Sequence, residues 1–131
     1  MSRYCVDTSA YSHFKRGTAS AVQAISTASW LGVSAIVLGE LRAGFLGGTR
    51  HPRNESELSE FLSSAVVEVL VVDEEVASIY AEILQALKKA GTPVPTNDIW
   101  IAAIAARHGV NVLTHDVHFQ NIQRVGTTLL T

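Results

Sequence analysis

Short apolar runs alternate with longer stretches of helical periodicity along the chain, and this alternation is what most constrains the fold. Runs at positions 4–6, 30–33, 66–72, 111–114 and 127–130 are typical of buried β-strands. The segments between them repeat apolar residues every three to four positions, as amphipathic helices do. Strands separated by helices pair in parallel through right-handed crossovers. The sequence therefore predicts an α/β fold, a three-layer α/β/α sandwich with a mostly parallel central sheet.

Residues that start and stop helices lie between these runs. Ser34 is a suitable N-cap for one helix, and the acids at 73–75 favour the start of a long helix that reaches position 90. Asn97 is predicted to cap a further helix over 98–108. The polar segment 49–54 is predicted to be a loop.

Composition and charge exclude several classes of protein. The chain has 131 residues and a mass of 14.1 kDa, which predicts a single domain over 1–131. Its residues are 47% hydrophobic and 17% charged, enough for an ordinary core. A formal net charge of −2 argues against a simple polybasic binder of nucleic acid or membranes. The lone Cys5 excludes an intrachain disulfide and a cysteine-based zinc site.

No membrane or targeting segment is expected. The longest uninterrupted apolar run, 99–106, is far shorter than the roughly 20 residues that span a bilayer. Asp7 interrupts the N-terminal segment before the apolar region of a signal peptide could develop. A cytoplasmic location is therefore predicted.

Four acidic residues occupy positions where parallel α/β sheets bind ligands. Asp7 follows the first strand, and Asp116 comes two residues after the strand at 111–114. Asp98 lies in the first turn of its helix, and Glu40 borders the apolar stripe of another. A helix cap, a turn or a surface charge explains each acid singly, but together they favour one site at the carboxyl edge of the sheet.

Electrostatics indicate what such a cluster holds. At an effective dielectric constant of about 20, two carboxylates about 5 Å apart repel each other by roughly 3 kcal/mol. The lysines of the chain, Lys15, Lys88 and Lys89, are not next to these motifs. The cluster must therefore bind divalent cations or take up protons. Oxygen ligands suit Mg²⁺ or Mn²⁺, which predicts metal-assisted phosphodiester hydrolysis by an activated water.

Three arginines are weaker candidates for contacting a nucleic acid. Arg42, Arg50 and Arg53 lie in or just after the helix that carries Glu40. A bound dication would make the mouth of the cleft cationic and add to their attraction for phosphate. Each arginine alone is equally well explained as a solubilising surface residue.

Four motifs, in this order, resemble those of the PIN-domain nucleases, and within them the VapC toxins of type II toxin–antitoxin systems. The matching segments are Val6-Asp7-Thr8-Ser9, Ser34 through Arg42, Asn97 through Ala103, and Leu113 through Phe119. Their order and spacing agree over essentially the whole chain.

This resemblance implies a PIN fold and a Mg²⁺- or Mn²⁺-dependent endoribonuclease acting on structured RNA such as transfer or ribosomal RNA. It also implies a homodimer that a VapB-type antitoxin neutralises in a larger toxin–antitoxin assembly. The residues it assigns are the catalytic and metal-binding acids Asp7, Glu40, Asp98 and Asp116, with Ser9 and Thr114 as their hydrogen-bond partners. Many relatives carry further acids where this chain has His118 and Gln120, which predicts a more weakly held second metal ion.

Other functions stay open at this level. His115 and His118 could act as the acid–base pair of a metal-free ribonuclease. A Mg²⁺-binding receiver domain shares the sheet and the acids, but it needs a lysine after a late strand, and no lysine follows Lys89. A catalytically silent PIN-fold binding module is the third alternative.

Overall fold

The computed structural model describes residues 2–131, in which strands and helices alternate as the apolar runs predict. The strands are β1 (Arg3–Val6), β2 (Trp30–Ser34), β3 (Val67–Leu70), β4 (Asn111–Thr114) and β5 (Thr127–Leu129). The helices are α1 (Thr8–Lys15), α2 (Ala19–Thr27), α3 (Ala35–Leu46), α4 (His51–Leu62), α5 (Glu74–Ala90) and α6 (Thr96–His108). A 3₁₀ helix over Val117–Asn121 connects β4 to β5.

The five strands form one sheet in the order β3-β2-β1-β4-β5, and every pair is parallel. The chain moves outward from β1 to β3, then returns through α5 and α6 to β4 on the other side of β1. Right-handed crossovers put α1–α4 on one face of such a sheet and α5–α6 on the other. The predicted α/β/α sandwich is confirmed. The order in which the chain adds strands reverses between β1 and β4, which is the switch point of the sheet.

The core lies around β1, β4 and α6. Cys5 and Val6 of β1 and Val112 and Leu113 of β4 are fully buried, because central strands of a parallel sheet are covered on both faces. Helix α6 is buried over Ile101–Ala105, without a solvent-facing stripe in that stretch. Asp98, at the start of α6, is therefore anchored to the most rigid part of the molecule.

Two sequence-based boundaries are wrong. The strand predicted over 66–72 is shorter, because β3 pairs only with β2 and β2 ends at Ser34, opposite Leu70. Beyond that point the chain has no strand to pair with, and Val71 is 65% exposed. The loop predicted over 49–54 is largely the first turn of α4, where a proline is tolerated because the first N–H groups of a helix have no partner inside it.

The N-cap predicted at Ser34 is confirmed, and the acids at 73–75 lie at the start of α5 as expected, but the cap predicted at Asn97 is wrong. Ser34 accepts a hydrogen bond from the amide of Val37, and Asp73 accepts one from the amide of Val76. Helix α6 instead begins at Thr96, two residues earlier than predicted and directly after Pro95, which leaves the side chain of Asn97 free for another role. Within residues 2–131, no helix combines the length and hydrophobicity needed to cross a bilayer.

Candidate functional site

The carboxyl ends of β1 and β4 meet where the sheet changes direction. Val6 is paired with Leu113, and the amide of Asp7 donates to the carbonyl of Leu113 at 3.2 Å. Asp7 and the segment leading to Asp116 therefore leave the sheet side by side, as the sequence predicts for neighbouring strands. A ligand that enters the crevice at this edge meets both carboxylates.

Asp7 is buried and held by hydrogen bonds from three directions. It caps α1, and its Oδ1 accepts from the amide of Ala10 at 2.8 Å. The hydroxyl of Ser9 donates to Oδ1 at 2.8 Å, and that of Thr114 donates to Oδ2 at 2.5 Å. Burial raises the pKa of this carboxyl, and the charge of Asp116 adds to the rise, whereas the three hydrogen bonds oppose it.

The same two hydroxyls connect Asp7 to the segment after β4. Ser9 Oγ accepts a hydrogen bond from the amide of His115 at 3.1 Å, and Thr114 Oγ1 accepts one from the amide of Asp116 at 2.9 Å. Thr114 is fully buried. The backbone that carries Asp116 is thus positioned by side chains that also fix Asp7.

Thr114→Val is expected to lower the free energy of unfolding by about 1–3 kcal/mol. Valine fills the same volume, but Asp7 Oδ2 loses its shortest hydrogen bond and the amide of Asp116 loses its acceptor. Urea unfolding measures the change. Thr27→Val is the matched control, because Thr27 is exposed on α2 and its loss should stay within about 0.5 kcal/mol. Equal losses in the two variants would contradict the role given to Thr114.

Glu40 reaches this crevice from the middle of α3. Its Oε1 accepts a hydrogen bond from Thr8 Oγ1 at 2.6 Å, and its Oε2 accepts one from Asn97 Nδ2 at 3.3 Å. These partners are far away in the sequence, at the starts of α1 and α6. Sequence reasoning named Asn97 only as a helix cap and did not find this contact with Glu40.

The pKa of Asp98 is affected by all three of the other acids. Its pKa is raised from 3.8 to about 6, first by burial and then by the charges of Asp116, Glu40 and Asp7. His118 opposes the rise. The four acids predicted from the sequence therefore lie within range of one another's fields, at one edge of the sheet.

A subset of these side chains converges closely enough to bind one ion. One ligand atom each from Asp98, Asp116 and His118 lies within 4.8 Å of the other two. Asp98 and Asp116 offer the oxygens that hard divalent cations prefer, so the donor set fits Mg²⁺ or Mn²⁺. The sequence analysis predicted both acids but treated His118 as the replacement of an acid or as half of an acid–base pair, and not as a metal ligand. Its spacing of two residues from Asp116 was the available signal.

The two histidines of the metal-free alternative have different neighbours. The ring of His115 stacks on that of His13, with centroids 3.8 Å apart, whereas His118 Nδ1 lies 3.0 Å from Asp116 Oδ1. Burial lowers the pKa of His115, and His13 and Arg16 lower it further. The two imidazoles are therefore held by different partners, His115 by the ring of His13 and His118 by the carboxylate of Asp116.

The predicted RNA-contacting arginines lie on α3 and at the start of α4. Arg42 pairs with Glu55 at 3.1 Å and Arg53 with Glu57 at 3.0 Å, both on the surface. Arg50 is exposed and forms no ion pair with any residue from 2 to 131. A phosphate must compete with a carboxylate at Arg42 and Arg53, but not at Arg50.

The sheet order and the acids at its switch point define an α/β/α sandwich with an acidic site at the carboxyl edge of the sheet. A model of the PIN domain matches residues 4–125, nearly the whole chain. The chain belongs to the PIN domain family.

Comparison with individual proteins agrees with this assignment. The chain is 40% identical to Ribonuclease VapC4 of Mycobacterium tuberculosis over 85 residues, which is 65% of this chain and 65% of that protein, just under two thirds of its length. The fold is similar to that of VapBC2 from Rickettsia felis bound to a promoter DNA fragment, with a TM-score of 0.89. The two chains are 22% identical, and the match covers 98% of this chain and 99% of that one. It is also similar to DNA-bound VapBC from Salmonella typhimurium, with a TM-score of 0.86, 26% identity, and coverage of 98% of each chain.

Proposed function

We propose that this chain is a Mg²⁺- or Mn²⁺-dependent endoribonuclease that acts as the toxin of a type II toxin–antitoxin system. Its substrate is structured RNA, with transfer or ribosomal RNA the favoured class. The PIN family match and the relative named Ribonuclease VapC4 support nuclease activity. Similar structures that are VapBC complexes support the toxin role.

The observation that carries the proposal is the elevated pKa of Asp98. Burial raises the pKa of the Asp98 carboxyl to about 6 together with the charges of three other acids, and a carboxyl perturbed in this way marks a site with excess negative charge. A divalent cation relieves that repulsion, and a bound phosphodiester then completes the charge balance. A surface whose acids were only helix caps and turn residues would not concentrate them in this way.

Each acid has a role that follows from its surroundings. Asp98 and Asp116 would hold the ion, and Asp7 would complete the site from the end of β1. Glu40, held by Thr8 and Asn97, orients the attacking water. Bound at this site, the ion supplies charge neutralisation on phosphorus oxygens and a lower pKa for water. Attack of a water on phosphorus, in line with the P–O3′ bond, would break that bond and leave a 5′-phosphate on one fragment and a 3′-hydroxyl on the other.

The hydroxyls of Ser9 and Thr114 keep Asp7 in place while the substrate binds and leaves. Each donates to Asp7 and accepts from the backbone next to Asp116, so the two acids cannot move independently. Arg50, with Arg42 and Arg53 beside it, is proposed to attract the RNA backbone toward the acids.

The remaining parts of the proposal concern assembly and location. We propose that residues 1–131 form a single PIN domain that works as a homodimer in the cytoplasm. A cognate VapB-type antitoxin neutralises it in a larger complex, a role that the similarity to VapBC structures supports.

Chelation is expected to abolish RNA cleavage. Purified protein should cut total RNA in the presence of Mg²⁺ or Mn²⁺ and leave 5′-phosphate ends, which ligation-based end mapping detects. EDTA should stop the reaction, and excess Mn²⁺ should restore it, because the carboxylates cannot activate water by themselves. Cleavage that continues in EDTA and leaves cyclic phosphate ends would instead support the acid–base pair of His115 and His118.

A further inference from the structure

His118 is the one member of the converging group that does not offer oxygen. Its Nδ1 lies 3.0 Å from Asp116 Oδ1, and the same oxygen accepts a hydrogen bond from the backbone amide of His118 at 2.9 Å. Asp116 is the N-cap of the 3₁₀ helix, and the imidazole of His118, in its first turn, lies against the carboxylate of that cap. The ring is also within 4.8 Å of a ligand oxygen of Asp98.

We propose that His118 Nδ1 is a ligand of the divalent ion, together with Asp98 and Asp116, and that this nitrogen makes the site select Mn²⁺ over Mg²⁺. The inference rests on the proposed function, because it concerns the same site. It goes further by naming the third ligand and the preferred ion of this chain.

The selectivity follows from the donor atoms. Mg²⁺ binds oxygen almost exclusively and gives up its waters reluctantly, whereas the first-row divalent ions, of which Mn²⁺ is the weakest binder, also accept nitrogen ligands. The resemblance described above places an acid at position 118 in many relatives, which gives an all-oxygen site. An imidazole there removes one negative charge and adds one softer donor. The lost charge lowers the affinity for both ions, and the nitrogen donor restores more of it for Mn²⁺ than for Mg²⁺.

The backbone that carries His118 is anchored by its neighbour Phe119, which supports coordination by His118 Nδ1. Phe119, the next residue, is fully buried and holds the 3₁₀ helix against the core. The His118 side chain is 55% exposed, so it can turn about its own bonds without disturbing the packing of its neighbours. An ion that replaces the contact between Nδ1 and Asp116 therefore needs a movement of side chains and not of the fold.

Metal binding measured without RNA tests the proposal. Mn²⁺ titrations followed by EPR, with Mg²⁺ as competitor, give the two Kd values for the wild type, His118→Ala, His118→Asp and His51→Ala. His51, at the start of α4, is the control for adventitious binding to an imidazole. Pulsed EPR of the Mn²⁺ complex detects a directly bound ¹⁴N nucleus.

The wild type and His51→Ala should show ¹⁴N modulation and equal Kd values. His118→Ala should lose the modulation and bind Mn²⁺ about tenfold more weakly, the lower end of what disturbing a metal site costs. Its Kd for Mg²⁺ should change much less. His118→Asp should also lose the modulation, and its ratio of Mg²⁺ to Mn²⁺ Kd values should fall because the site is again all oxygen.

The outcomes separate this inference from the proposed function. Mn²⁺ binding without ¹⁴N modulation, at the same Kd in the wild type and His118→Ala, overturns the role of His118 but leaves a carboxylate metal site. In that case the imidazole is only a hydrogen-bond donor to Asp116. Failure of the wild type to bind either ion overturns both. Circular dichroism of His118→Ala excludes loss of the fold as the cause, because the exposed ring should not affect the melting temperature.

Discussion

Asp98→Asn is expected to reduce the rate of RNA cleavage by at least about a hundredfold, the effect of removing one group that stabilises charge in an active site. The amide is the same size as the carboxyl but carries no charge, so it should weaken the ligand set proposed for Asp98, Asp116 and His118. Initial rates on a labelled structured RNA, at saturating Mn²⁺, measure the change. Because α6 is anchored in the core, the loss should reflect chemistry and not unfolding.

Glu60→Gln is the matched control for this substitution. Glu60 is exposed on α4, and its side chain has no hydrogen bond or ion pair with residues 2–131. The same change of charge there should leave the rate within about twofold of wild type, since a charge exposed to solvent is screened. Asp98→Asn activity close to that of Glu60→Gln would show that Asp98 is not part of the active site.

Asp98→Asn is also expected to be more stable than the wild type in metal-free buffer at neutral pH. The folded-state pKa of Asp98 is about 6, above the ordinary value of 3.8, so the folded chain binds this proton more tightly than the unfolded chain does. Below pH 3.8 Asp98 is protonated in both the folded and the unfolded chain and does not lower stability. As the pH rises from 3.8 to about 6, the free energy of unfolding falls, and above that pH the loss stays constant. Asp98 is only half-buried, so solvent screens part of this effect. Replacing its carboxylate with an amide should raise the free energy of unfolding by about 1–2 kcal/mol.

Urea unfolding of both proteins in EDTA at pH 4 and pH 7.5 tests this linkage. The difference in the free energy of unfolding between Asp98→Asn and the wild type should be larger at pH 7.5 than at pH 4. A difference independent of pH would mean that Asp98 titrates normally and that the acids do not crowd one another. Loss of activity together with a gain of stability is the combination that a functional cluster of like charges produces.

The location of the site could be predicted because it depends on local rules. Parallel strands end at the same edge of a sheet, so Asp7 and Asp116 had to meet once β1 and β4 were neighbours. Asp98 could be placed because it lies in the first turn of a strongly apolar helix. Each of these positions follows from the nearby sequence and the alternation of strands and helices.

Contacts between distant segments could not be predicted in the same way. Glu40 was chosen because it borders apolar residues, but nothing in α3 indicates that Thr8 and Asn97 would hold it. The length of β3 likewise depends on where its partner ends and not on its own valines. His118 was underestimated because the motif describes residue types, whereas the 3₁₀ turn after Asp116 determines where the imidazole points.

Phe119→Ala is expected to cause the largest loss of stability among the substitutions considered, about 3–5 kcal/mol. The Phe119 ring is fully buried, and the carbonyl of the same residue accepts hydrogen bonds from the amide of Ile122 and the hydroxyl of Thr127. Truncation leaves a cavity beneath the 3₁₀ helix that the short turn cannot fill. Urea unfolding followed by circular dichroism and tryptophan fluorescence measures the loss.

Phe119→Leu keeps most of the apolar volume and should cost less than about 1.5 kcal/mol. The comparison also tests how packing supports the site, since Asp116 and His118 lie just before this ring in the same turn. Under conditions where both variants remain folded, Phe119→Ala should bind Mn²⁺ more weakly than Phe119→Leu, because its two ligands are no longer held in one arrangement. Equal affinity in the two variants would show that β4 and Thr114 alone position Asp116, and that the hydrophobic anchor serves only stability.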